Sequence, residues 1–168
     1  MSIKILVDSA SDIDSEEAER LGVTLIPIKV RFKDKEYLDG INLSHTEFFE
    51  KLIESAELPK TSQINPYEFE KEFERLTADG SEVIAVTLSS KLSGTYKSAK
   101  TAAKKFDGKV FVVDSLNASL GERLLCLFAL RMVSEGRTAK EIYGELNSAK
   151  HRIKLLAVLG TLKYLKIG

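Results

Sequence analysis

The stretch VIAVTLSSKLSGTYKSAK, residues 83–100, decides how the chain is read. Val83 to Val86 is an unbroken apolar run, as expected of a strand buried on both faces. Ser89, Ser90, Lys91, Leu92, Ser93, Gly94 and Thr95 follow it. Tyr96, Ala99, Ala103 and Phe106 then recur at helical spacing. Buried strand, hydroxyl-rich corner and helix together make one unit of a parallel α/β fold. The corner itself admits three readings: a helix cap, a cradle for an anion, or a nucleophile.

The same alternation runs outward in both directions. IKILV (3–7), EVIAVTL (82–88), KVFVVDS (109–115) and IKLLAVL (153–159) read as strands. VTLIPIKVRF (23–32) is strand-like, but Pro27 cannot donate to a ladder and implies an edge or a bulge. KDKEYLDG (33–40) reads as a turn and a return. Asp14 with Glu17, Ser44 with Glu47 and Thr138 with Glu141 form capping-box patterns that open helices. The first of these runs to Leu21 and stops at Gly22. Phe48, Phe49, Leu52 and Ile53 mark the buried face expected of the second, and Ile142 and Leu146 that of the third. A loop with Pro59 carries Lys60 to Gln63. Asn65 and Pro66, with Glu68, then start a helix striped by Phe69, Phe73 and Leu76. A long apolar helix covers 119–134 and ends at Gly136.

These elements predict an α/β fold with a largely parallel sheet flanked by helices on both faces. No internal linker or repeat divides the chain, so 1–168 reads as a single lobe. TLKYLKIG (161–168) begins an apolar helix face that the sequence does not finish. The chain is therefore expected to be a fragment, with 161–168 leading to an absent second lobe.

Composition narrows the function. Among 168 residues, 25 are basic and 25 acidic, without the basic excess of a nucleic-acid-binding protein. The apolar block Leu124–Leu130 is far shorter than the ~20 residues that span a bilayer. MSIKILVDS has too short an apolar run for a signal peptide. The single cysteine, Cys126, excludes an internal disulfide, suits a reducing compartment, and reads as a packed core residue. A cytoplasmic protein without a membrane span is expected.

Ligands of open parallel sheets sit beyond the carboxyl ends of the strands, where loops meet helix N-termini. Small polar residues concentrate there in DSASD (8–12), TSQ (61–63), SSKLSGT (89–95) and DSLNAS (114–119). Brought together, they make a rim of hydroxyl and N–H donors suited to an oxyanion, which a helix N-terminus also favours. Gly94 would let backbone approach a ligand closely. Taken singly, each corner reads equally well as a cap or turn. Nucleotide binding lacks the G-x-x-x-x-G-K-[ST] spacing. A nucleophilic serine needs a base, and Lys91 is expected to face water. His45 and His151 read as surface residues. Asp8, Asp12, Asp14 and Asp114 would hold a metal only if they converged, so no metal and no cofactor are expected.

The ordered set VDSASD, PKTSQ, SSKLSGTY, VVDSLNAS and LGTLKYLKIG resembles the DegV family of bacterial fatty-acid-binding proteins over the whole chain. The resemblance implies a carrier, not an enzyme. It would hold one long-chain fatty acid and present its carboxylate to a separate ATP-dependent fatty acid kinase. Carried onto this sequence, Thr61 and Ser93 donate to the carboxylate, Ser62 and Gly94 shape the pocket, and backbone near Gly94 and Thr95 assists. Asp8, Ser9, Asn117, Ser119 and Gly121 fall on the pocket rim. In the family a second lobe supplies a histidine, an arginine and a tunnel wall, which on this reading are expected to be absent here, and Arg123 stands where the family usually has glycine. Arg123 is expected at the surface or in a surface pair. Two alternatives stay open: a phosphotransfer component using His45, or a structural or interaction lobe without ligand.

Overall fold

The computed structural model describes residues 2–55 and 57–158. Its centre is a four-stranded parallel sheet. The strands are β1 (Ile3–Asp8), β2 (Thr24–Ile26), β6 (Glu82–Thr87) and β7 (Val110–Asp114), in the order β2-β1-β6-β7. Alternate residues of each strand point to opposite faces, which gives two cores. Ile5, Val7, Ile84, Val86 and Val113 pack with α1 (Ser15–Leu21), α5 (Leu120–Ser134) and α6 (Ala139–Ala149). Leu6, Val83, Ala85, Val110 and Val112 pack with α3 (Pro66–Thr77) and α4 (Thr95–Ala103). Continuous apolar strands follow from this arrangement, because neither face meets water. The predicted α/β class, with helices on both faces, is what the structure has.

Pro27 marks a change of sheet. The run expected as one strand divides into β2 and β3 (Lys29–Phe32), which belong to different sheets. β2 lies at the edge of the parallel sheet, where a residue without an N–H is tolerated. Beyond Pro27, Ile28 donates its N–H to Ser9 Oγ at 3.0 Å instead of to a ladder. β3 pairs antiparallel with β4 (Lys35–Leu38), the predicted return, and with β5 (Lys60–Ser62). Lys60 to Ser62 are thus an edge strand, where the sequence suggested a loop. Three residues are too few for alternation to show.

Helix α2 (His45–Glu54) covers the small sheet with only half of its predicted apolar face. Phe48 and Leu52 pack on Val30, Phe32 and Leu43, whereas Phe49 and Ile53 are 59% and 84% exposed. A three-stranded sheet is too narrow to cover all four. Capping boxes form at Ser44/Glu47, Asn65/Glu68 and Thr138/Glu141. At α1 only half of the box forms. Asp14 accepts from Glu17 N–H at 2.7 Å, but the Glu17 carboxylate is held by Arg20 and Arg123. Arg123 thereby finds the surface pair expected of it, at 2.6 Å.

One predicted strand is absent. Residues 153–158 have no regular structure, and Leu156 and Val158 are 92% and 101% exposed. Their apolar pattern has no partner strand among the described residues, and without a ladder the pattern alone does not make a strand. Residue 159 and the helix expected over 161–168 lie outside the described residues. Cys126 is fully buried, as expected, and burial pushes its thiol up to about 12.

The second core depends on stacked rings: Phe69 and Phe73 lie 5.6 Å apart and Phe73 meets Phe106 edge-on at 5.8 Å. Phe73→Ala is expected to lower unfolding stability by about 3–5 kcal/mol in denaturant titrations. A loss below about 1 kcal/mol would show that this core collapses around the cavity.

Candidate functional site

The predicted polar corners lie in loops that follow the C-terminal ends of β1, β6 and β7, and in the edge strand β5. Strand ends are demanding places, because their last backbone N–H groups have lost the ladder and still need acceptors. Asp8, fully buried at the end of β1, accepts from Ala10 N–H at 3.0 Å and from Leu88 N–H at 2.8 Å. Burial pushes its carboxyl up to about 6, against the downward pull of those two donors. Asp114, at the end of β7, accepts from Ser90 N–H at 3.0 Å and Leu116 N–H at 3.1 Å. The two aspartates thus tie the corner after β6 to both neighbouring strands.

The remaining rim residues are engaged in the same way. Ser9 Oγ holds Ile28 N–H, and the Asn117 carbonyl accepts Ser89 N–H at 2.9 Å. Ser119 sits at φ 52, held by its own N–H to Ala10 O at 2.7 Å and by its hydroxyl on the Asp12 carboxylate. Gly121 is required by close packing: a Cβ there would lie 2.6 Å from Asn117 Oδ1 and 2.8 Å from Asn117 Cβ. Asp8, Ser9, Asn117, Ser119 and Gly121 therefore lock three loops together.

The five cradle residues are disposed differently. Thr61 and Ser62 are exposed on β5, opposite Val30 and Lys29. Ser93 and Gly94 are half-buried at the start of α4, whose first turn has no side-chain cap on Gly94. Ser93 Oγ accepts Thr95 N–H at 3.2 Å and lies 2.9 Å from the buried Thr95 hydroxyl. Ser93 is thus a half-buried turn-forming residue, and the Thr95 hydroxyl beside it is fully buried.

Gln63 joins these two segments, a role its place after Thr61 and Ser62 did not reveal. Its carboxamide lies across the Cα of Gly94, where any Cβ would overlap Oε1, and its Nε2 donates to Ser98 Oγ at 3.2 Å. Gly94 permits this approach, so the glycine serves the protein's own side chain first. Beside the contact lies a pocket of ≈ 300 Å³ lined by Gln63, Pro66, Gly94, Lys97, Ser98 and Thr101. Its wall is polar at the Gln63 end and carries one ammonium group, Lys97.

Glu122 also escaped the sequence reading. It follows Gly121 in an apolar helix, is fully buried, and neither carboxyl oxygen has a hydrogen-bond donor among the described residues. Burial first, and then the charge of Asp8, push it well above the ordinary carboxylate range. His45 is exposed at the start of α2 and His151 in the turn after α6. Among the described residues no group of three or more His, Cys, Asp or Glu is arranged to hold a metal, and no helix is long and apolar enough to cross a membrane.

The layered parallel sheet, with hydroxyls and a helix start beyond its strand ends, defines the class: an α/β lobe of the kind that takes ligands at the carboxyl edge of its sheet. Comparison then gives the family. Residues 2–168 match the family described as "Uncharacterised protein, DegV family", and the chain belongs to the DegV family. A DegV domain-containing protein of Caldanaerobacter subterraneus is 36% identical over 167 residues, covering 99% of this chain and 59% of that protein. A DegV family protein of Thermus thermophilus, described by its fatty acid binding, has a TM-score of 0.82 at 35% identity, covering 90% of this chain and 54% of that one. A stearic-acid-binding protein of Eubacterium ventriosum has a TM-score of 0.84 at 28% identity, covering 100% and 59%. The chain thus spans under two thirds of the length of these relatives.

The two glycines predict opposite mutational behaviour. At Gly94 the obstructing atoms are the free end of Gln63, which can swing away; at Gly121 they are a buried, hydrogen-bonded asparagine. Gly121→Ala is expected to cost about 1–3 kcal/mol, and Gly94→Ala less than about 1 kcal/mol. Gln63→Ala should make Gly94→Ala nearly neutral in a double-mutant cycle of denaturant stabilities. Equal costs at both glycines, or additivity of Gly94→Ala with Gln63→Ala, would contradict this geometry.

Proposed function

We propose that this lobe binds the carboxylate of a long-chain fatty acid between the end of β5 and the start of α4. Thr61 and Ser93 donate hydroxyl hydrogen bonds, Ser62 and Gly94 shape the contact, and the backbone at Gly94 and Thr95 adds the favourable field of a helix start. The observation that carries the reading is the Gln63 bridge, which brings the strand bearing Thr61 and Ser62 against the helix start bearing Ser93 and Gly94. The fatty-acid-binding relatives agree in fold with this lobe.

Asp8, Ser9, Asn117, Ser119 and Gly121 form the rim in this reading, as the frame that fixes the corners rather than as donors. The lobe acts as a carrier in the cytoplasm and performs no chemistry. The whole protein would present the bound carboxylate to an ATP-dependent fatty acid kinase, and most affinity would come from the tail, at ~0.8 kcal/mol per buried CH₂. The headgroup contacts select a carboxylate and fix its orientation.

A hydrogen bond to a charged group contributes ~1.5–3 kcal/mol. Thr61→Ala and Ser93→Ala are each expected to weaken fatty-acid binding by about 10- to 150-fold in calorimetric titrations. Ser93→Ala should also cost ~1 kcal/mol of stability, because its hydroxyl accepts Thr95 N–H. Unchanged affinity in both variants would remove the cradle, and lost stability with full affinity in Ser93→Ala would leave Ser93 a turn residue only.

A further inference from the structure

Glu122 stands outside the residues that the proposed function uses, and Asp8 enters it only as part of the frame that fixes the corners. Both are fully buried, where α5 packs against β1 and the 3-10 turn Ser9–Ser11. Ser119 N–H donates to Ala10 O at 2.7 Å, which seats the first turn of α5, and Glu122 with it, against the turn that follows Asp8. With both ionised, each would be a buried acceptor facing another acceptor. Two like charges in a site of low polarity do not coexist without a compensating charge.

Among the described residues the groups named around the pair offer none. Asp12 and Asp39 add negative charge. Arg123, the next residue along α5, is bound to Glu17 at 2.6 Å and to Asp12 O at 3.3 Å. Cys126, one turn along α5, is a neutral thiol at this depth. From α6, Ala139, Ile142 and Leu146 face the same core, and from β6, Ile84 and Val86. The two acids differ in what they receive. Asp8 accepts two backbone N–H groups, which favour its ionised form. Glu122 accepts none.

We propose that Asp8 and Glu122 bind one proton between them in the native fold, Glu122 being the neutral acid that donates to the ionised Asp8. The O–H stays on Glu122 and no bond is made or broken beyond that hydrogen bond. Glu122 then positions Asp8, and through it the Leu88 N–H at the entrance to the corner after β6. The sign of the pH dependence follows. The unfolded chain releases this proton near the ordinary carboxyl value and the folded chain retains it, so stability falls as pH rises above that value.

Carboxyl-carbon NMR of the unmodified protein tests this without a variant. One Glu side-chain carbon should remain in the neutral-acid position well above the ordinary carboxyl range. In infrared spectra the matching neutral-acid carbonyl band should vanish in Glu122→Gln. The denaturation midpoint of the unmodified protein should fall as pH rises above the ordinary carboxyl value, and that of Glu122→Gln should fall less. Asp8→Asn, which removes the neighbouring charge, should shift the slow-titrating carbon to lower pH. The pair is overturned if every Glu carbon in the folded protein titrates in the ordinary range. It is equally overturned if the neutral-acid signal survives Glu122→Gln, or appears only after a chelator strips divalent cations from the protein.

Discussion

Parallel strands that stop side by side leave a row of backbone N–H groups with no ladder to donate to, and burial makes each of them costly. Asp8 answers this constraint for the central strands. From the end of β1 it takes the N–H of Ala10 in its own turn and of Leu88 beyond β6, the neighbouring strand. Asp114 does the same from the other side with Ser90 and Leu116. Remove these acceptors and the corner after β6 loses the side-chain ties that hold it to both flanking strands. The placement of Ser93 depends on that corner, since Ser93 N–H donates to Ser89 O and Ser89 N–H to Asn117 O.

This constraint sorts the small polar residues into two groups. Ser9, Ser11, Ser89, Ser115 and Asn117 are buried and spend their polar atoms on the backbone. Thr61 and Ser62 are exposed, and Ser93 is half-buried. The exposed set lies on β5 of the small sheet and on the corner just before α4, and Gln63 spans between them across the bare Cα of Gly94. Pro27 contributes at a distance. By ending β2 it frees the chain to build the antiparallel sheet on which β5, and therefore Thr61, is displayed.

Much of the framework was legible in the sequence. Apolar runs located β1, β6 and β7, and hydroxyl or amide caps located α2, α3 and α6, because both signals are local. What escaped depends on partners distant in the chain. Lys60–Ser62 becomes a strand only beside β3, and 153–158 carries a strand's apolar pattern without a strand among the described residues to pair with. Phe49 and Ile53 obey helical periodicity, but the small sheet beneath them is too narrow to cover them. Glu122 fell within a helix read as long and apolar and drew no reading of its own. Its burial follows from the direction α5 takes across β1, which spacing does not encode. The cradle residues came from a motif resemblance, and the Gln63 bridge between them required the fold.

The account turns on where a fatty-acid headgroup would sit. The most direct measurement is a map of backbone amide shifts as a long-chain fatty acid, labelled at its carboxyl carbon, is added to the protein. The largest changes are predicted at residues 61–63 and 93–96, with the carboxyl resonance reporting an ionised, hydrogen-bonded state. Changes confined to the exposed face of α2 around Phe49 and Ile53, or no saturable change at all, would contradict the assignment of the site to the junction of β5 and α4.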